Sequence, residues 1–217
     1  MDLVEKMAES SSVTKEKILE SAKKEFLENG FVNASLRTIA ANAGLTTGAM
    51  YRHFKDKDAL FCALVDDAIE ATKKAVMKAD VVSHSQLPHP VSKEHYEEEQ
   101  KTTHELLDYI YAHFDAFILL LTKAAGSTHE NFLEEICDVY TKNCEDTFAW
   151  MYENKMIPKK IDSMTVHVIA STIINAFAEI IFHRMRREDA VQFVENITEF
   201  TRFGTLHMVG VSCDGIE

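Results

Sequence analysis

The stretch that most constrains this chain is residues 35–54, SLRTIAANAGLTTGAMYRHF, which reads as two short helices joined at a turn. Leu36, Ile39, Ala40 and Ala43 recur at three- and four-residue intervals, so they share one face of a helix of about two turns. Gly44 ends that helix, because the residue just past a helix end often needs a positive φ that glycine adopts without steric cost. Leu45 is expected to turn inward, and Thr46 to cap a second helix by accepting a backbone N–H through its hydroxyl. The second helix is expected from Thr47 to about Phe54, with Met50 and Phe54 facing in. Its outward positions, Thr47, Gly48, Arg52 and His53, are small, polar or basic, and such a face suits a groove in DNA.

The rest of the chain points to an all-α fold. Only seven glycines and three prolines occur in 217 residues, and no sustained period-two alternation of apolar residues is found. With 46% hydrophobic residues there is material for a substantial core, and the length fits a small domain followed by a larger one. No internal repeat is present. No apolar run reaches the roughly 18 residues of a membrane span, and the start, MDLVEKMAESSSV, lacks the basic opening and apolar stretch of a signal peptide. A cytoplasmic protein with no membrane partner is expected. Cys62, Cys137, Cys144 and Cys213 form no C-x-x-C pair, so they are expected as free thiols packing as small apolar residues.

In chain order, residues 1–12 are expected to be frayed. A first helix should start near Thr14, with Val13 and Ile18 as a hydrophobic staple, a buried stripe of Ile18, Leu19, Ala22, Phe26 and Leu27, and a stop at Gly30. Asp56 should cap a longer helix reaching about Asp80, with Leu60, Phe61, Leu64, Val65, Ala68, Ile69 and Val76 along one side. Residues 81–92 carry two prolines and no charge and read as a loop; His84, His89 and His95 around it fit no ligand spacing. Further helices are expected over residues 92–126, broken near His113, over 130–154 with a stop at Pro158, from an Asp162 cap to Phe182, and from Glu188 to about Val209.

The formal net charge of −12 argues against nucleic acid until its distribution is considered. Residues 1–57 hold nine Lys and Arg against eight Asp and Glu, so the remaining 160 residues carry the whole excess, −13. Between Ser35 and Lys57 stand Arg37, Arg52, Lys55 and Lys57 against Asp56 alone. An acidic body behind a basic tip orients approach to a polyanion.

The residues then carry a family resemblance. Ile18, Leu19, Ala22, Phe26, Gly30, Phe31, Ser35, Ile39, Ala40, Ala43, Gly44, Leu45, Thr46, Gly48, Tyr51, His53, Phe54, Lys57 and Leu60 stand in the register of the N-terminal domain of TetR-type transcriptional regulators. The chain resembles that family over about residues 14–69, with Met50 where the family more often has Leu or Ile. The resemblance implies three parts: a segment 1–12, a three-helix helix-turn-helix DNA-binding domain over 13–72, and a larger helical ligand-binding and dimerisation domain over 73–217. It implies phosphate contacts from Thr46, Tyr51, His53 and Lys57. It implies base-edge contacts from Arg37, Thr47, Ala49 and Arg52, with Gly48 allowing close approach to the duplex.

Two C-terminal helices look too apolar for one buried side each, and the resemblance implies that they meet their symmetry mates as a four-helix dimer interface, with Ile173, Phe177, Ile181, Phe193, Ile197 and Phe200 as its candidates. A two-fold dimer implies a roughly palindromic operator. Phe114, Phe117, Trp150, Met151, Met164 and His167 have the composition of a small-molecule pocket, and equally of plain core. The function these features imply is a sequence-specific regulator, a repressor released by a small ligand. An architectural DNA-binding protein on the same fold is the alternative. No nucleophile motif, phosphate loop or H-E-x-x-H pattern points to an enzyme, and no cofactor or metal is expected.

Overall fold

A computed structural model describes residues 3–85 and 93–211, with side chains over 11–77 and 96–211. Among the described residues the chain is helical throughout, with no strand: α1 (Leu3–Asn33), α2 (Leu36–Asn42), α3 (Thr47–Met50), α4 (Lys57–Ser85), α5 (Lys93–Ala112), α6 (Phe114–Ile118), α7 (Phe132–Glu153), α8 (Ser163–Phe182) and α9 (Arg187–Met208). A π-helical turn, Leu119–Lys123, follows α6. The all-α expectation holds.

The chain divides into two compact units, one comprising residues up to Ala68 with Asp115–Asn131, the other Ile69–Phe114 with Phe132 onward. In the first unit, Ile18, Ala22 and Phe26 of α1 are wholly buried, as are Leu60, Phe61 and Val65 of α4. Phe61 meets Phe26 edge-on at 5.2 Å between ring centroids and Phe31 at 5.4 Å. Such T-shaped pairs gain about 0.5–1.5 kcal/mol beyond the burial of their area. The π-helical turn packs against α1 and brings Leu119 and Leu120 into the same core.

The second unit is built on α7 against α8, with α9 against α8 and α5. Leu107, Ile180, Ala190 and Val194 form its main cluster, closed by the Tyr111 hydroxyl, which donates to the Met185 carbonyl at 2.8 Å. A smaller cluster joins Met151, Ile157 and Val209.

Several local expectations need correction. α1 begins at Leu3 rather than near Thr14, and residues 3–12 are helical rather than frayed: Leu, Glu, Lys, Met and Ala propagate a helix at little cost. Val13 is therefore no staple; it is 46% exposed. Gly30, at φ 71°, does break the helix where the sequence placed its end. α3 stops at Met50 because its last turn tightens: the amides of Arg52 and His53 reach only three residues back, to Ala49 and Met50. Leu45 is half-buried. Residues 81–85 continue α4 instead of forming a loop, while 86–92 lie outside the described residues. α7 is closed by Lys155 at φ 58°, ahead of Pro158. Among the described residues α8 alone is long and apolar enough to span a membrane by composition, which overturns the reading that no such stretch exists; only a third of it is buried within the chain. The break expected near His113 and the Asp162 cap both appear.

Two helix ends share a strain that can be relieved. After α7 and α8 the closing residue sits in the left-handed region although it is not glycine: Lys155, and Arg184 at φ 46°. A residue with a Cβ pays about 1–2 kcal/mol there, part of which glycine returns as chain entropy. Arg184→Gly is expected to raise stability by up to about 1 kcal/mol, a melting-temperature gain of about 2–4 °C by calorimetry. Gly126→Ala should act oppositely and lower stability by about 1–3 kcal/mol, since at φ 84° a Cβ there would meet the Val32 Cγ2 at 2.9 Å.

Candidate nucleic-acid interface

Two polar contacts from α1 fix the reading element. The Ser21 hydroxyl, buried, donates to the Ile39 carbonyl at 2.9 Å, and the buried Glu25 carboxylate accepts the Ser35 amide at 2.9 Å. Ser35 then caps α2 by accepting the Thr38 amide. At the other end Gly44 (φ 73°) closes the helix, with the Leu45 amide donating to the Ala40 carbonyl at 2.9 Å and the Gly44 amide to Ala41 at 3.0 Å. This double bond pattern requires a left-handed residue and sets the angle at which the chain leaves α2. Thr46 caps α3 by accepting the Ala49 amide at 3.2 Å. Met50 and Phe54, 1% and 6% exposed, anchor α3 from below as the sequence anticipated.

What remains outside is the set the sequence singled out. Arg37, Thr46, Gly48, Tyr51 and Arg52 are exposed, and Thr47, Ala49, His53 and Lys57 are half-buried. Tyr51 keeps 48% of its surface open. Among the described residues no ion pair neutralises Arg37 or Arg52, so both guanidinium groups offer their donors outward. The Thr46 hydroxyl, used as an acceptor in its cap, keeps its own proton to donate.

Lys57 differs. Its ammonium sits at the N-terminus of α4, where a cation is disfavoured, yet it donates to the Val32 carbonyl at 3.0 Å and the Ala34 carbonyl at 3.4 Å and lies 4.8 Å from the Phe31 ring centroid. The carbonyls at the end of α1 thus offset the penalty from within the fold, leaving a third ammonium proton free.

In the second unit the six residues named for a ligand do not gather. Trp150 and Met151 belong to the small cluster with Ile157, Phe114 packs beside Leu107, Met164 is 69% exposed, and His167 lies on α8 with its ring nitrogens near Thr141 and Ser171. Phe117 is core of the first unit. No pattern in the sequence signals a polar group on α5 and α9: Gln100 Nε2, Thr102 Oγ1 and Arg202 Nη2 are buried with no hydrogen-bond partner among the described residues. Arg202 also covers the Tyr96 ring at 4.5 Å, and burial pushes the nearby Glu99 carboxyl above the ordinary range against the pull of Arg202.

Of the residues named for a dimer, Ile181 is buried in the unit itself, Ile173, Phe177, Phe193 and Ile197 are half-buried, and Phe200 is 72% exposed. Phe193 and Ile197 of α9 line an open groove with His167, Val168, Thr172 and Asn175 of α8. Cys62, Cys137 and Cys144 form no disulfide among the described residues, as expected, while Cys213 and the side chains of His84, His89 and His95 lie outside the described residues. Burial first, then Asp58 and Asp66, pushes the Cys62 thiol up to about 11, so it is neutral at physiological pH and no reactive thiolate.

Comparison with known proteins agrees with this geometry. Residues 18–64 match the family described as bacterial regulatory proteins, tetR family. Over 76 residues the chain is 36% identical to the HTH-type transcriptional repressor AcnR of Corynebacterium diphtheriae, covering 35% of this chain and 37% of that protein. Over 53 residues it is 42% identical to the HTH-type transcriptional repressor Rv1474c of Mycobacterium tuberculosis, 24% of this chain and 28% of that one. The match thus spans about a third of the length of these relatives. Whole-chain likeness is one of fold: SmeT, the repressor of the Stenotrophomonas maltophilia multidrug efflux pump SmeDEF, superposes with a TM-score of 0.62 at 18% identity, covering 94% of this chain and 92% of that one. PfmR of Thermus thermophilus, a TetR family regulator, superposes at 0.58 with 21% identity, covering 83% and 96%. Residues 18–64 thus carry the N-terminal domain of the tetR family, and the chain as a whole shares its all-helical fold with solved regulators of that family.

Proposed function

We propose that the chain is a sequence-specific DNA-binding transcriptional regulator, acting as a homodimeric repressor that leaves a palindromic operator when a small molecule binds the second unit. The observation that carries this reading is the outward face of α2 and α3, where Arg37, Thr47 and Arg52 stand unpaired on a scaffold whose inner side is fully packed. Arginine forks match guanine O6 and N7, and threonine and alanine methyls meet thymine methyls, each good bidentate pair discriminating by about 1–3 kcal/mol. Tyr51, His53, Thr46 and the spare Lys57 proton would position the unit on phosphates.

The exposed apolar residues of α8 and α9 support a dimer. Met164, Val168, Phe182, Phe200 and Phe203 are each at least 37% exposed. A soluble chain rarely leaves so much apolar surface on two adjacent helices uncovered. A two-fold pairing of this face would hold two reading units for successive major-groove half-sites about 34–36 Å apart. The unpaired atoms of Gln100, Thr102 and Arg202 support an effector that carries hydrogen-bond acceptors, an anionic group above all, since an orphaned buried donor costs about 1–3 kcal/mol until it is met. Cytoplasmic residence follows from work on DNA.

Arg52→Ala combined with Tyr51→Ala should abolish operator binding in mobility-shift assays while light scattering still reports a dimer; tight binding by that variant would overturn the assignment of the reading helix. Val168→Glu with Phe200→Glu should give a folded monomer by light scattering with operator affinity reduced at least tenfold, and a persistent dimer would place the interface elsewhere.

A further inference from the structure

The sequence offered no metal ligands, but the first unit brings three donors together from distant positions. Asp58, Cys62 and Asp66 recur every four residues along one face of α4, and His129 reaches them from the segment 124–131. The His129 Nε2 lies 3.4 Å from the Cys62 Sγ and 3.4 Å from the Asp66 Oδ1, and all three ligand atoms fall within 4.8 Å of one another. We propose that Cys62, Asp66 and His129 form a binding site for a thiophilic divalent cation of the Zn(II) class, which clamps the 124–131 segment to the start of α4.

The spacing suits an ion as well as it suits a hydrogen-bonded chain in which the Cys62 thiol donates to the Asp58 Oδ2 at 3.7 Å. One ring nitrogen carries either a proton or a lone pair, so Nε2 makes one good hydrogen bond, yet a sulfur and an oxygen both crowd it at the same distance. Around a tetrahedral ion, with bonds of about 2.3 Å to sulfur and about 2.0–2.1 Å to nitrogen and oxygen, S and N stand about 3.5 Å apart and N and O about 3.4 Å. Three protein ligands leave a fourth position for water. A donor set of thiolate, imidazole and carboxylate selects Zn(II) over Mg(II) or Ca(II), which take oxygen.

The histidine is held ready. Both carboxylate oxygens of Asp58 take bonds from Thr128, one from its amide at 2.8 Å and one from its hydroxyl. The His129 amide donates to the Ser127 hydroxyl at 3.1 Å, and the Gly126 amide to the Glu130 carboxylate at 2.9 Å. Asp58 is therefore a positioning residue, fixing the segment that presents the ring. Its carboxyl sits below the ordinary value: burial opposes ionisation, but the two Thr128 bonds, the Cys62 thiol at 3.7 Å and the neighbouring His129 together outweigh it. On binding, the ion takes the thiol's electron pair and the proton passes to water, so the step balances without an oxidant.

Co(II) and Zn(II) titrations of the untagged full chain, with no DNA present, test the site independently of the regulatory reading. One equivalent of Co(II) should give tetrahedral visible bands with a near-ultraviolet thiolate charge-transfer band, and one equivalent of Zn(II) should quench both and raise the melting temperature. Cys62→Ala should lose the charge-transfer band and the Zn(II)-dependent gain although Cys137 and Cys144 remain. His129→Ala should lose the gain too, and Asp58→Asn, keeping all three donors, should weaken binding by about 10–100-fold. Octahedral Co(II) spectra, a charge-transfer band that survives Cys62→Ala, or no Zn(II)-dependent change in melting of the parent chain would each overturn the proposal.

Discussion

The structure depends first on how α1 grips α2. Apolar packing alone would hold a two-turn helix loosely, because Ile39 and Ala40 present little area and could slide along α1. The buried Glu25 and Ser21 remove that freedom, each satisfied only when α2 sits at one rotation and one height. A hydrogen bond to a charged group contributes about 1.5–3 kcal/mol, and an unmet buried carboxylate costs more, so misplacement is penalised from both sides. Once α2 is placed, the Ser35 cap, the left-handed Gly44 and the Thr46 cap follow in sequence, and α3 has one direction in which to leave. The outward face of Arg37, Thr47 and Arg52 is therefore set in the first place by two buried groups, Ser21 and Glu25.

Where sequence reasoning succeeded, the signal was local. The caps at Thr46, Asp56 and Asp162, the left-handed stops at Gly30 and Gly44, and the inward Met50 and Phe54 depend on residues within a turn of one another, and all appear. Where it erred, the deciding contact was absent from the local pattern. The Leu, Glu, Lys, Met and Ala upstream of Thr14 carry the helix past a residue that could have capped it, and Lys155 and Arg184 close helices in a conformation their side chains disfavour, because the Schellman bonds of Met156 to Met151 and Met185 to Ile180 outweigh that cost. The partner of Lys57 could not be read from sequence, since Val32 and Ala34 precede it by more than twenty residues. The same holds for Cys62 and His129, 67 positions apart. The six residues proposed for a ligand share a composition but no single surface, only Trp150 and Met151 falling in one cluster, whereas Gln100 and Arg202 stand out only once burial is known.

The two units divide the work by charge and polarity. The first carries a locally basic stretch, Arg37, Arg52, Lys55 and Lys57 against Asp56, and packs Phe26, Phe31 and Phe61 inside. The second, acidic on balance, leaves apolar surface on α8 and α9 and buried donors on α5 and α9. Each of these features has a role in the proposed function. In that reading acid would repel DNA from the wrong face, apolar surface would recruit a symmetry mate, and the unpaired donors would meet a ligand whose binding shifts the population of arrangements competent for DNA. With its proposed ion bound, the α4 cluster would add a fastening point in the first unit that needs neither the effector nor a symmetry mate.

Selection of bound sequences from random duplex DNA, at two salt concentrations, tests the central claim most directly. A dimeric reader enriches one palindromic motif with half-sites centred about 10 base pairs apart or a multiple of that, and its preference for that motif over random DNA survives higher salt even as both affinities fall. Enrichment of no motif, with binding that only weakens as salt rises, would contradict it and leave the architectural reading in its place.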